Sequence, residues 1–217
     1  SCHGDPAVNV IGKSRNILFD SDTFIWNSGQ GISLSYPASN VTVMNSTANH
    51  NGGSGFQGYR LKNVLWQNVE GSYNNWRGAQ EAYYEWNTAG MHSFSDHNET
   101  ISGFTAKYNQ TKSIHWDTAN ADITVTSFLS SQNMIGPLYE KNQGPLSISG
   151  STFCNSQSMA SGYAGFILRN SEKATLTGNT FYNNNVAQLL VTGEVGGISV
   201  TDWETLVGYN LITSHIT

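Results

Sequence analysis

Asp117 and Glu140 stand 23 residues apart, and so do His92 and His115. In a chain that folds into stacked layers of about that length, each pair falls one above the other on adjacent parallel strands, about 4.8 Å apart. Two carboxylates that close repel unless they share a proton, bind a cation or face an arginine. Arg169 comes next in the same series. One carboxyl held ionised and the other raised would supply an acid and a base or nucleophile from similar groups. Glycosidic cleavage needs such a pair, about 5 to 5.5 Å apart for retention and roughly 6.5 to 9.5 Å for inversion. Backbone spacing alone leaves both outcomes open.

The elements that would position these residues are short strands. SIHWDTANADITV, residues 113–125, is rich in β-branched and aromatic residues, and alternation puts Ile114 and Trp116 on one face and His115 and Asp117 on the other. The same unit recurs along the chain: a short strand, an Asn, a Gly-containing turn and a second short strand. The first strands start at Asn16, Asn40, Asn63, Glu99, Asp122, Pro145 and Ala174, in steps of 24, 23, 36, 23, 23 and 29 residues. A near-constant step with two insertions is the signature of a solenoid. Asn27, Asn51, Asn74, Asn109, Asn133, Asn155 and Asn185 follow at the turn and predict an internal asparagine ladder.

The second strands are GISLS at 31, GFQGY at 55, GMHSF at 90, SIHWD at 113, GPLYE at 136, GFILR at 165 and AQLLV at 187. Their second and fourth residues, such as Ile114 and Trp116, are assigned to the interior. Their third residues form an outward, solvent-facing column: Ser33, Gln57, His92, His115, Leu138, Ile167 and Leu189. The neighbouring column reads Ser35, Tyr59, Phe94, Asp117, Glu140, Arg169 and Val191. Asp96, His97 and Asp122 fall near turns and read as solvated.

These repeats resemble the right-handed parallel β-helix, or pectin-lyase-like, superfamily from about Asn9 to about Thr201. NNWRGAQ at 74, AGMHSF at 89, IHWDTAN at 114 and YEKNQGP at 139 resemble motifs of a group of secreted bacterial β-helix repeat proteins. The chain departs from that pattern with His92 at a usual Lys position and His115-Trp116 ahead of the Asp. The resemblance implies an all-β, right-handed parallel β-helix solenoid of about seven to eight coils over 1–217, in a secreted or extracytoplasmic protein. β-Helices host lyases, hydrolases, epimerases and binding proteins, so fold alone does not name an activity.

Composition narrows the classes. Charged residues make up 12% of the 217, the net charge is −5, and the ten Lys and Arg are scattered, which argues against a nucleic-acid partner. No apolar run reaches the roughly 20 residues of a membrane span. Two cysteines, Cys2 and Cys154, are too few for a disulfide framework or a Cys-based metal site, and, falling several layers apart, they are expected to be unpaired. Neither end carries an obvious cap, so the chain reads as irregularly capped or as part of a longer solenoid, and homo-oligomers through its ends are conceivable.

The larger insertion, WRGAQEAYYEWNTAG, places Trp76, Tyr83, Tyr84 and Trp86 beside the carboxylate pair. Such rings form flat surfaces for sugar stacking. The functional expectation is therefore a carbohydrate-active enzyme on a polysaccharide or oligosaccharide, with Asp117 and Glu140 as acid and base or nucleophile and His92 and His115 tuning them. Arg169, Trp86, Tyr84, Tyr59 and Gln57 would hold substrate. Hydrolysis is preferred, a lyase of uronate-containing glycans is the rival, and a non-catalytic binding or structural module is the third reading. No cofactor is implied beyond Ca²⁺, which the two carboxylates could hold.

Overall fold

A computed structural model describes residues 6–77, 88–142, 144–160 and 162–193. It contains twenty β-strands and no helix among these residues. Numbered in chain order, eight strands form one parallel sheet: β1 (Val8–Val10), β4 (Ile32–Ser35), β7 (Phe56–Tyr59), β9 (Ala89–Phe94), β11 (Lys112–Asp117), β14 (Leu138–Glu140), β17 (Ile167–Arg169) and β20 (Leu190–Thr192). The other twelve build a second parallel sheet that wraps the remaining sides of the coil. Its long members, β8 (Lys62–Glu70) and β10 (His97–Lys107), run continuously around a corner that other rungs divide into two strands. Parallel pairing of each strand with the equivalent one a layer away is a right-handed parallel β-helix.

The corners explain the recurring asparagines. Asn16, Asn40, Asn63 and Asn98 have φ of 56°, 53°, 57° and 58°, the left-handed region where Asn is tolerated better than branched residues. Each amide donates to the Asn one layer earlier: Asn40 to Asn16 at 3.0 Å, Asn63 to Asn40 at 2.8 Å and Asn98 to Asn63 at 2.8 Å. A second, buried ladder runs through Asn27, Asn51, Asn74, Asn109 and Asn133. Asn74 also donates to the Ala48 carbonyl at 2.8 Å, so its side chain ties its layer to the one before, while its backbone N–H donates to Asn109 in the next.

Gly55 stands beside this ladder for a steric reason. A Cβ there would lie 2.6 Å from the Ala48 oxygen, 2.7 Å from Asn74 Nδ2 and 2.7 Å from the Gly90 oxygen. The ladder does not continue as expected, because Asn155 turns into a left-handed corner. Ser156 takes the ladder position and donates its N–H to Asn184, which replaces Asn185. The turn after β16 (Thr152–Cys154) matches the one a layer earlier: Cys154 pairs with Ser131, so Asn155 takes the positive-φ corner of Gln132 and Ser156 the place of Asn133.

Inward residues from both sheets form one core that includes Phe56, Trp66, Phe104, Trp116, Phe128, Tyr139, Phe153 and Phe166. Trp116 is in the core, as the alternation required. Cys154 is a free, buried thiol, while Cys2 lies outside the described residues.

Candidate functional site

The register of the eight-stranded sheet brings the chemical residues together. His92 pairs with His115, Asp117 with Glu140 and Glu140 with Arg169, each one rung apart. Ser33, Gln57 and His92 share one column, and Ser35, Tyr59 and Phe94 share the next. The last rung differs from the expected columns: Leu190 and Thr192, not Leu189 and Val191, stand over Ile167 and Arg169. Ile167 and Leu190 are 23 residues apart, the ordinary layer length, whereas the expected column stepped only 22, and Leu189 packs against the core.

The face is not the solvated surface that alternation alone implied. His115 and Glu140 are completely buried, and His92, Asp117 and Arg169 are 3%, 4% and 7% exposed. A second apolar cluster covers part of this face, where Tyr163 and Ala164, from the turn before β17, pack on Leu138 and Ile167. The face opens toward the first rungs, where Gln57 is half-buried and Tyr59 is 38% exposed. The Tyr59 and Phe94 rings stack there at 5.2 Å, and Arg60 lies over the Tyr59 ring. Tyr84 and Trp86 lie outside the described residues.

Within the buried part, two histidine–carboxylate pairs repeat one rung apart along the same diagonal. His115 Nε2 is 3.0 Å from Glu140 Oε1, and His92 Nε2 is 3.8 Å from Asp117 Oδ2. In each pair the carboxylate is one rung on and two residues along, a diagonal that long side chains can span. The imidazoles lie 5.2 Å apart between centroids and are tilted by 32°. Thr118 Oγ1 donates to Asp117 Oδ1 at 2.8 Å. Lys141 Nζ and Arg169 Nη1 approach Glu140 Oε1 and Oε2 at 3.5 and 3.8 Å, while Arg169 Nη2 donates to the Gly162 carbonyl at 3.3 Å.

These contacts set the charges. Burial and the nearby Lys112 ammonium push the His115 pKa down to about 4, against the opposing pull of Glu140 and Asp117, so the ring is neutral at neutral pH. Burial alone would raise both carboxyls. For Asp117 the imidazoles and the Thr118 hydroxyl outweigh it, and for Glu140 the imidazole and Lys141 do, so both end below the ordinary carboxyl range. The cluster therefore holds two ionised carboxylates, a neutral imidazole and three cationic side chains, Lys112, Lys141 and Arg169. It contains no carboxyl with a raised pKa.

Lys112 and Lys141 were missed by sequence reasoning. Lys141 directly follows Glu140 and Lys112 opens β11, but side-chain direction at a strand end cannot be read from alternation. The 25-residue spacing shared by His92 with Asp117 and His115 with Glu140 was a usable signal, being one 23-residue layer plus one two-residue step.

Asp96 is not solvated, as its place near a turn suggested; it is fully buried. Its N–H donates to Asn120 at 2.8 Å, and its Oδ1 accepts the Leu61 N–H at 2.7 Å. It is the first member of a third ladder, Asp96–Asn120–Asn142–Ser171. Glu99 lies inside the coil and accepts from Trp66 Nε1, Ser93 Oγ and Trp116 Nε1 at 2.8, 2.9 and 3.0 Å. Burial raises both carboxyls, and the neighbouring Glu99 charge raises Asp96 further. Asp122 is exposed, as expected, and His97 is half-buried.

The donor set does not suit Ca²⁺, which takes six to eight oxygens. Glu140 already meets an imidazole and two cations, and Asp117 faces His92 and Thr118. Elsewhere, open grooves of about 300 and 360 Å³ follow the Asn40–Asn63–Asn98 and Asn45–Asn68–Gly103 corners. They are lined by carboxamides, hydroxyls and aliphatic groups, with Glu70 the one ionisable residue.

Comparison with solved structures agrees with the fold. The chain resembles the A-module of the Azotobacter vinelandii mannuronan C-5 epimerase AlgE6, with a TM-score of 0.66 and 16% identity over 81% of this chain and 45% of that one. The corresponding module of AlgE4 gives a TM-score of 0.62 and 14% identity over 81% and 46%. Tailspike protein 2 of an Escherichia coli O157:H7 bacteriophage gives 0.63 and 12% over 77% and 22%. The chain spans less than half the length of each of these proteins. No protein-family profile matches it, and no curated protein matches it in sequence.

Proposed function

We propose that this β-helix is a carbohydrate-active module that removes a proton from a sugar carbon next to a carboxylate, acting on a uronate-containing polysaccharide. The charge state of the buried cluster carries the reading. Hydrolysis by a carboxyl pair calls for one protonated acid, whereas both Asp117 and Glu140 are held ionised. A neutral imidazole braced by a carboxylate is a base, and cations beside it offset the negative charge that builds up as a carbon acid next to a carboxylate is deprotonated.

In this reading His115 is the base, oriented by Glu140 at 3.0 Å. Lys112, Lys141 and Arg169 stabilise the enolate-like charge, with His92 and Asp117 as the second imidazole–carboxylate pair. Tyr59, Phe94 and Gln57 line the open approach, with rings suited to stacking on sugars. Protonation of the intermediate from the other face inverts the carbon; loss of the C4 oxygen substituent cleaves the chain and leaves a double bond. The likeness to proteins described as mannuronan C-5 epimerases lends support at the level of the fold.

The test is incubation with uronate-containing and neutral polysaccharides in D₂O, followed by NMR of C5 deuteration, ultraviolet absorbance of unsaturated product and reducing-end release. Deuterium at C5 from reprotonation, new absorbance from elimination, or both, lost in His115→Gln, is the expected result. Reducing ends without deuteration or absorbance would favour hydrolysis, the reading that the adjacency of Asp117 and Glu140 supports. No change in any substrate would leave a binding or structural module.

A further inference from the structure

We infer that His92, His115 and Asp117 form a seat for a divalent transition-metal ion of the zinc class. One ligand atom from each lies within 4.8 Å of the others, and all three residues are buried. Two imidazoles and one carboxylate on one side of an ion are a donor set for Zn²⁺, Co²⁺ or Fe²⁺, not for a hard cation such as Ca²⁺. The His92–Asp117 separation is the most telling distance. At 3.8 Å it is too long for a hydrogen bond. Two metal bonds of about 2.0–2.1 Å at a tetrahedral angle put their ligand atoms about 3.3 Å apart, so this pair would close by about half an ångström, and the set, within 4.8 Å, would draw in around the ion.

His92 adds an independent observation. Its side chain is 4% exposed, and neither Nδ1 nor Nε2 has a hydrogen-bond partner among the described residues. A buried imidazole without partners is costly, and coordination would remove that cost. The outer groups are placed as metal sites place them. Glu140 bonds to His115 Nε2, which would direct Nδ1 to the ion, and Thr118 bonds to Asp117 Oδ1, which would leave Oδ2 to the ion. The charges facing the seat are Lys112, Lys141, Arg169 and Glu140, and the last three partly neutralise one another. An occupied seat withdraws both imidazoles from any role as base, so metal loading and turnover by free imidazole are alternative states of one cluster. The inference does not depend on the sugar chemistry.

The full chain, stripped with a chelator, is titrated with Co²⁺ and followed by visible absorption. One equivalent should bind with an intense four-coordinate band, and Zn²⁺ but not Ca²⁺ should displace it. Asp117→Asn and His92→Gln should abolish the band, and Glu140→Gln should weaken binding 10–100-fold, with circular dichroism checking that each variant folds. His50→Gln, remote from the cluster, should bind normally. No stoichiometric band in the wild type, a band retained in both ligand variants, or displacement by Ca²⁺ would overturn the assignment. Should a ligand variant not fold, the wild-type imidazole resonances decide during Zn²⁺ titration: joint shifts of His92 and His115 support the seat, and their absence refutes it.

Discussion

His115 is a weak base in water made weaker by its surroundings, and its environment can be dissected one group at a time. Replacing Lys112 by Met removes a charge that lowers its pKa, so the value should rise from about 4 toward the ordinary 6.5, while burial keeps it from reaching it. Imidazole NMR titration reads this directly; an unchanged value would mean that burial alone sets it. If the enzymatic reading holds, the acidic limb of kcat/KM follows the same shift.

Asp96 offers a second residue-scale test. Its Oδ2 is buried without a hydrogen-bond partner among the described residues, and its position is the one in its ladder that Asn120 and Asn142 occupy in later layers. Asp96→Asn keeps the acceptor for the Leu61 N–H and removes a carboxyl that burial and Glu99 hold above its usual pKa. A raised acid contributes stability at low pH and loses it as pH climbs through the folded value. The variant should therefore be more stable than wild type at neutral pH by about 1–3 kcal/mol, with the difference vanishing in acid. Equal melting temperatures at pH 7 and above would contradict this.

At the scale of the element, the coil is held by ladders whose members serve the layer before and the layer after. Asn133 accepts from Asn109 through its side chain and donates to the Ala106 carbonyl at 2.9 Å. Asn133→Ala strands these groups in the interior and should cost about 2–4 kcal/mol in chemical denaturation, two or three lost hydrogen bonds with buried partners left behind. Asn185→Ala should cost little, because Asn184 holds the ladder position and Asn185 is exposed. The sequence count pointed to Asn185; adjacent asparagines carry no signal for which one turns inward, and the corner geometry after Asn183 decides it.

For the whole molecule, groups of opposite sign act on stability with pH. His115 binds a proton more readily unfolded than folded, so falling pH between 6.5 and about 4 weakens the fold. Asp96 and Glu99 act the other way, losing their contribution as pH rises through their elevated values. The depressed Asp117 and Glu140 lose theirs only in stronger acid. A melting-temperature profile should peak near mildly acidic pH, and Asp96→Asn should flatten its alkaline side. A profile still rising steadily above pH 7 would contradict this balance.

The layer length, the strand faces and the Asn27–Asn51–Asn74–Asn109–Asn133 ladder were legible in the chain because a solenoid repeats local instructions. A strand alternates with period two, and a 23-residue step puts His92 over His115 and Asp117 over Glu140 whatever the rest of the molecule does. Tertiary structure alone decided the environment of those residues. Alternation says which side of a sheet a residue is on but not whether that side meets water, and the turn carrying Tyr163 and Ala164 buries part of this one. Burial then lowers His115, while the diagonal contacts keep Asp117 and Glu140 ionised. Glu99 makes the same point inside the coil: the repeat put it in line with Asn63, but Asn98 holds that corner and Glu99 pairs with Val64, facing inward, where two indoles and a hydroxyl from three other strands satisfy it.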